Sequence, residues 1–369
     1  MRSSSVLGII YSNLHDSYLS ELTNMRTMGS VPFGGRYRLI DFTLSSMVNC
    51  GITTVGISTK SNYQSLMDHL GSGKAWDLSR KNSGITILPP FNLNHDGGMY
   101  TSRIEALHCI DTYIKNADKE YIIMTDCNVV TNIDYGTIID EHIASGADMT
   151  IAYKHGKCPN IKKATTFSFD GDKITGLQVG AAQGEEADFS LNIMVVKRVV
   201  LQRLVAESMS VGDTEFEKEL IGKNLDKLYI RGHEVKEYAT VIDSLQSYYD
   251  ISMNLLAGDY KALFSPAPIY TKVRDDMPAI YGLNATAKNC LVADGCIIKG
   301  EVENCILFRG VCIEEGAVVK NSIIMQDSYI SAGAKLNCTI LDKEVVIKPN
   351  RELSGAPTYP TFIGKGITV

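Results

Sequence analysis

SVLGIIYSNLHDSYLSELTNMRTMGSVPFGGRYRLIDFTLSSMVNCGI, residues 5–52, is the stretch that decides the fold. Val6 to Tyr11 is an unbroken apolar run of strand length, and DFTLSSMVNCG reads as a helix. A strand that feeds a loop and then a helix sets the loop's backbone amides over a ligand. Loops that cradle phosphates in this way are rich in glycine, because the backbone must approach closely and adopt strained conformations. Here the strand feeds Ser12, Asn13, Leu14, His15 and Asp16 instead. The frame suits a nucleotide, but the loop does not suit its phosphates.

The same alternation continues outward. TTVGIST, GITILPP, YIIMTDC, DMTIAYK and FSLNIMVV are rich in Val, Ile and Thr and bounded by Gly, Pro, Asn or Asp, so they read as strands. RIEALHCIDTYIKN is helical, with Ile104, Leu107, His108 and Ile114 near one face. Alternating strands and helices imply an α/β domain, Rossmann-like, with a mainly parallel mixed sheet covered on both faces. Ligands of such sheets sit at the carboxyl ends of the strands.

The pattern changes after residue 260. Pro266, Pro268 and Pro278 read as a linker, so the expected division is an α/β domain over 1–260, a linker over 261–282 and a second domain over 283–369. In the last part Ile306, Cys312, Val318, Ile324, Ile330 and Leu336 fall six apart. Gly310, Gly316, Ser322, Ser328 and Ala334 keep the same step at a tight-turn position. This is a hexapeptide repeat, the pattern of a parallel (left-handed) β-helix. Its open ends suggest assembly with other subunits.

Composition excludes several roles. The 369 residues carry a net charge of −6, which does not provide the basic face that nucleic acid or an anionic membrane requires. Nine cysteines include no C-x-x-C pair, which argues against zinc sites and thioredoxin-like chemistry. Cys290, Cys296, Cys305 and Cys312 read as small filler in the repeat core. No apolar run is long enough for a signal-peptide core or a membrane span, so a cytoplasmic location is expected. A hexapeptide acyltransferase would use a histidine among its coils, and none follows His233.

An α/β nucleotide-binding domain followed by a hexapeptide β-helix resembles the sugar-nucleotide pyrophosphorylases. VPFGGRYRLIDFTLSSMVNCGI, with YIIMTDCNVVTNIDY and YIRGHEVKEYATVIDS, narrows the resemblance to the glucose-1-phosphate adenylyltransferase family, over the whole chain. The resemblance implies a nucleotidyltransferase domain and a Mg2+-assisted reaction of ATP with glucose 1-phosphate, giving ADP-glucose and pyrophosphate. It also implies a set of site residues, and this chain departs from most of them. The family's Gly-Gly-x-Gly-x-Arg-Leu run falls on Asn13 to Leu19. Its glycines are replaced by Asn13, Leu14 and Asp16, and its arginine by Tyr18. The lysine of its Ala-Lys-Pro turn falls on Met28, with Gly29 at the proline. Asp126 matches a metal-binding aspartate; by its residue context alone it could equally satisfy a following turn or cap a helix. The second metal aspartate falls on Val241, with Asp243 two residues on. GAAQGEEAD lacks the lysine and proline of the sugar-phosphate motif, and Arg103 of SRIEA stands where a small residue lines the nucleotide pocket. Ser190 remains at a sugar-contacting position.

The kept frame and altered site resemble the GlgD-type regulatory subunits of the family. The resemblance then implies glycogen biosynthesis, little or no activity alone, and a catalytic sister subunit in a homo- or hetero-tetramer. It also implies a sugar-phosphate effector. No cofactor is assigned to this chain; Mg2+ belongs to the family reaction. Arg36 and Arg38 are the candidates for effector or partner contact, and an ordinary ion pair of Arg38 with Asp41 or another surface carboxylate is the alternative. A working adenylyltransferase is the competing reading. It would need Arg26, Arg36 or Arg103 to replace the lost cations and Asp243 to replace the lost carboxylate.

Overall fold

The computed structural model describes residues 5–81, 83–90, 100–161, 164–180 and 182–369. Its first domain contains strands β1 (Val6–Tyr11), β2 (Pro32–Phe33), β3 (Tyr37–Arg38), β4 (Thr54–Ser58), β5 (Gly84–Leu88), β6 (Tyr121–Asp126) and β7 (Val129–Thr131). β8 (Met149–Lys157), β9 (Thr165–Asp170), β10 (Lys173–Val179), β11 (Glu186–Lys197), β12 (Ile230–Glu234) and β13 (Ala239–Val241) follow. Nine of these form one sheet in the order β5-β4-β1-β6-β11-β8-β12-β10-β9. β11 and β10 run against the other seven, so the sheet is mixed and mainly parallel.

β1 shows why the strands are apolar throughout. Val6 and Ile10 join the core on one side of the sheet; Leu7, Ile9 and Tyr11 join the core on the other. A strand covered on both faces has no solvent side and needs no alternation. Gly8 is required by packing, since a Cβ there would lie 2.6 Å from Met47 Sδ of the helix Leu39–Asn49. β1 and β6 end together, with Tyr11 beside Asp126, and this shared carboxyl end forms the floor of the site.

Extended chain connects the helix Tyr260–Phe264 to the first coil strand, Ile280–Tyr281. The connection therefore spans 265–279, shorter at both ends than the prolines alone suggested. The coils beyond it are parallel: Ile306 pairs with Ile323 and Ile323 with Ile340, seventeen residues per coil. Seventeen is two six-residue sides and one of five, so in these coils the expected unbroken step of six slips by one position each time. The left-handed corners show the slip directly. Gly310 (φ 71°) and Gly316 (φ 71°) are corners, but the next are Asn321 (φ 47°), Asp327 (φ 57°) and Gly333 (φ 71°), not Ser322, Ser328 and Ala334. Inside the coil the slip changes which residues point inward. Leu307, Ile313 and Val319 fill the interior with Ile324, Ile330 and Leu336, while Cys312 and Val318 lie half-buried beside it.

Ile306 is apolar for another reason. With Phe308, Ile323, Met325 and Ile340 it forms the outer face of one coil wall, packed into the core of the first domain. Arg26 crosses this junction to Asp342, with Nη1–Oδ1 at 2.8 Å and Nη2–Oδ2 at 2.9 Å. The tyrosine-rich helix Leu245–Asn254 lies at the same seam: Tyr248 donates to Pro32 O (2.6 Å) and Tyr249 to Asn321 O (2.7 Å). Among the described residues no helix is long and apolar enough to cross a membrane.

Candidate functional site

A cleft of about 500 Å³ opens at the carboxyl ends of the strands, between the loop after β1, the helix Arg103–Cys109, β11 and the turn Phe216–Ile221. Its position is the one expected for ligands of such a sheet. The residues at its floor differ from what phosphate chemistry requires.

The loop after β1 is tied down by its own polar groups. Ser12 Oγ donates to Ser58 O (2.8 Å), and Gly29 N donates to Ser12 O (2.9 Å). Asp16 opens a short 3-10 helix, Asp16–Leu19, and its carboxylate accepts from Met28 N at 2.7 Å. It thus turns away from the cleft instead of pointing at a triphosphate. Burial pushes its pKa up to about 7, against the opposing pull of the Met28 amide and Lys60. Met28 itself is buried in the core, so its position offers nothing to a phosphate. In place of backbone amides the loop presents Leu14, His15 and Tyr18 to the cleft, with the His15 and Tyr18 rings stacked 5.0 Å apart.

Asp126 lies fully buried at the end of β6. Its Oδ2 receives Arg103 Nη2 at 2.7 Å and His15 Nε2 at 2.7 Å. Burial alone would raise this carboxyl's pKa; the Arg103 guanidinium and His15 outweigh it and hold the group below its ordinary value. Arg103 starts its helix beside Ser102, which caps it in a reciprocal pair with Glu105. The guanidinium lies over the rings of Tyr11 (4.7 Å) and Phe216 (5.4 Å), with Glu217 at 3.7 Å. For Arg103, burial lowers the pKa, but Asp126 and Glu217 raise it further, so its charge is fixed.

The other expected residues are spread around this centre. Ser190 lines the cleft where β11 bulges, and its Oγ accepts from Asn192 N at 3.0 Å. Val241 ends β13, and Asp243 lies beyond the strand. Asp243 accepts from Asn160 N (2.9 Å) and Ser244 Oγ (2.9 Å). Arg26 is committed to Asp342. Arg36 is exposed on the turn between β2 and β3 and does not line the cleft. Arg38 pairs with Asp41 only through its backbone N (3.0 Å); its side chain donates instead to Ser65 O (2.6 Å) and Ser65 Oγ (2.9 Å). Asp41 is taken by His69, Nε2–Oδ1 2.6 Å. Burial lowers the Arg38 pKa to about 10.

A divalent cation does not fit these residues. Its expected carboxylate already holds two nitrogen donors, Val241 supplies no second carboxylate, and no group of three His, Cys, Asp or Glu among the described residues could hold a metal ion. Sequence reasoning missed the partners of Asp126. His15 and Arg103 were each visible, but nothing in their spacing joins them to a strand end 111 and 23 residues away.

A nucleotidyl transferase family model matches residues 16–163, and a GlmU-like C-terminal hexapeptide model matches residues 278–356. The chain is 36% identical to the glycogen biosynthesis protein GlgD of Bacillus subtilis (strain 168), over 100% of this chain and 98% of that protein. It is also 36% identical to GlgD of Geobacillus stearothermophilus, over 99% and 97%. Identity to the glucose-1-phosphate adenylyltransferase of Fervidobacterium nodosum is 29%, over 93% and 84%.

Proposed function

The chain belongs to the glucose-1-phosphate adenylyltransferase family, on the side of the GlgD proteins, and from that premise we propose that it is a regulatory subunit with little or no activity of its own. In this reading it pairs in the cytoplasm with a catalytic adenylyltransferase chain in a hetero-oligomer and modulates ADP-glucose synthesis for glycogen. The observation that carries the proposal is the Arg103–Asp126–His15 contact at the cleft floor. A carboxylate that must hold a cation beside a transferring phosphoryl group cannot also be neutralised by the protein's own arginine. The glycine-free loop and the buried Met28 point the same way. The competing reading, an active enzyme with rebuilt cations, is weakened because Arg26 and Arg103 are both spent on internal carboxylates.

The test is ADP-glucose synthesis from ATP, glucose 1-phosphate and Mg2+, measured for the purified chain alone and mixed with the catalytic chain. Loss of electrostatic groups of this kind costs about 10²–10³ in rate each, so the expected activity alone is at background. The mixture should differ from the catalytic chain in rate or effector response. Within the same assay, Arg38→Ala tests whether Arg38 contributes an effector or partner contact. An unchanged effector response removes Arg38 from that role, and robust turnover by the chain alone overturns the whole reading.

A further inference from the structure

The three walls of the coil differ in what they turn outward. One, with Ile306, Ile323 and Ile340, packs into the first domain. A second stacks Glu301, Val318, Lys335 and Glu352, a mainly charged face that suits solvent. The third is the five-stranded parallel sheet of Ile280–Tyr281, Ile297–Ile298, Cys312–Ile313, Tyr329–Ile330 and Val346–Ile347. Ile298, Ile313, Ile330 and Ile347 turn inward and fill the coil. Their neighbours Ile280, Ile297, Cys312, Tyr329 and Val346 stack in register on the outside. This outer ladder belongs to none of the three cores, and Ile280, Ile297 and Tyr329 are 53%, 36% and 39% exposed. A parallel sheet is ordinarily covered on both faces, and a contiguous apolar strip in solvent marks a contact surface.

The flanks of the ladder show what covers it. Across a two-fold axis parallel to the coil stack, each ladder residue meets its own counterpart, and residues equally far to either side of the ladder meet each other. On the first rung these are Met277 and Leu283, both apolar and strongly exposed. On the second, Lys299 stands opposite Gly295, over which the Asp276 carboxylate lies. On the third, Glu314 stands opposite Gly310, over which Asp327 leans, but each carboxylate already holds a cation of its own chain: Lys299 at 3.0 Å and Arg274 at 3.4 Å. On the last, Glu344 stands opposite Lys348, both exposed. The face is therefore complementary to itself. An axis parallel to the strands would instead set Lys299 against Lys348. We propose that this wall binds a second copy of the chain, ladder on ladder, about the axis parallel to the coil stack. The ladder is about 19 Å long, at the small end of specific interfaces, so a dissociation constant in the micromolar range is expected. The contact is separate from the cleft and does not depend on whether the chain is catalytic.

The test is sedimentation velocity of the full chain, alone, from about 1 to 100 μM. The expected result is a dimer whose population rises with concentration. Ile297→Glu sets like charges face to face on the axis and should weaken the dimer about a hundredfold. The side chain lies outside the coil, so far-UV circular dichroism should not change. Lys348→Glu sets an acid against Glu344 of the other copy, on both sides of the axis, and should weaken the dimer about tenfold. Glu344→Lys combined with Lys348→Glu exchanges the two charges and should restore it. A monomer at every concentration overturns the proposal, as does a dimer that Ile297→Glu leaves intact. A dimer that Lys348→Glu strengthens overturns it too, because that sign belongs to the arrangement in which Lys348 faces Lys299.

Discussion

Arg103 with Asp126 at the cleft floor, and Arg26 with Asp342 at the domain junction, are the same chemical pair in two settings. Both are buried, with side chains 5% and 0% exposed in the cleft and 3% and 4% at the junction. They differ in completeness. At the junction both nitrogens of the fork meet both carboxylate oxygens, and Asp342 Oδ1 also accepts from Lys343 N. In the cleft, Arg103 and His15 share one oxygen, while Asp126 Oδ1 and Arg103 Nη1 have no hydrogen-bond partner among the described residues. A buried pair recovers its desolvation cost only when its remaining donors and acceptors are satisfied. The junction pair therefore acts as a lock between domains. The cleft pair is less complete, and its effect is to occupy a position that chemistry would otherwise use.

The largest expected effect follows from breaking the lock. Arg26→Ala leaves Asp342 buried with its charge unmatched and should cost about 3–5 kcal/mol of stability. Urea unfolding followed by far-UV circular dichroism measures this; a loss below about 1 kcal/mol would show that the junction pair is not the lock. Arg26→Met with Asp342→Leu should recover most of the loss, because an apolar pair carries no uncompensated charge.

A smaller effect is expected in the cleft. In Arg103→Ala, Asp126 keeps His15 and has solvent within reach through the vacated cleft, so the expected cost is about 1–3 kcal/mol. The ranking of the two variants is the real content: if Arg103→Ala is the more damaging, the contrast between lock and plug is wrong. The same variant should not restore catalysis, because Val241 and the loop after β1 still lack their charges and amides.

How much of this was legible in the sequence divides along the same line. Six of the nine strands of the first sheet were readable because each is locally apolar and locally bounded, as Val6–Tyr11 and Tyr121–Asp126 show; Thr165–Asp170, Lys173–Val179 and Ile230–Glu234 were not, because polar and half-exposed residues interrupt them. The β-helix was readable as a repeat, but its register was not. Ile306 is apolar for its contact with the first domain, and a list of apolar residues cannot distinguish that from filling the coil. The corner at Asn321 was hidden because asparagine adopts positive φ without advertising it as glycine does. In the site, losses were legible position by position: Met28, Val241 and the missing glycines. What replaced them was not. Arg26 and Asp342 are 316 residues apart, and only the docking of the two domains brings them together.

The smallest expected effects come from one titrating group in each region, and they have opposite signs with pH. Asp16, in the loop after β1, has its folded pKa raised from 3.8 to about 7 by burial. The folded state therefore holds that proton more tightly, and stability falls as pH rises from about 4 through 7. Lys343, beside the junction, has its pKa lowered from 10.5 to about 7, first by burial and then by Arg38 and Arg26. Here the unfolded state binds the proton more tightly, so stability falls as pH drops from about 10 through 7. Asp16→Asn keeps an oxygen for Met28 N and removes the charge. It should stabilise by about 1–2 kcal/mol at pH 8 and by nothing at pH 4, after discounting for partial exposure. Lys343→Met should stabilise at pH 6, and its advantage should shrink toward pH 10. Urea unfolding of both variants at pH 5, 7 and 9 separates the regions: two curves of the same slope would mean that the groups do not titrate as their surroundings require.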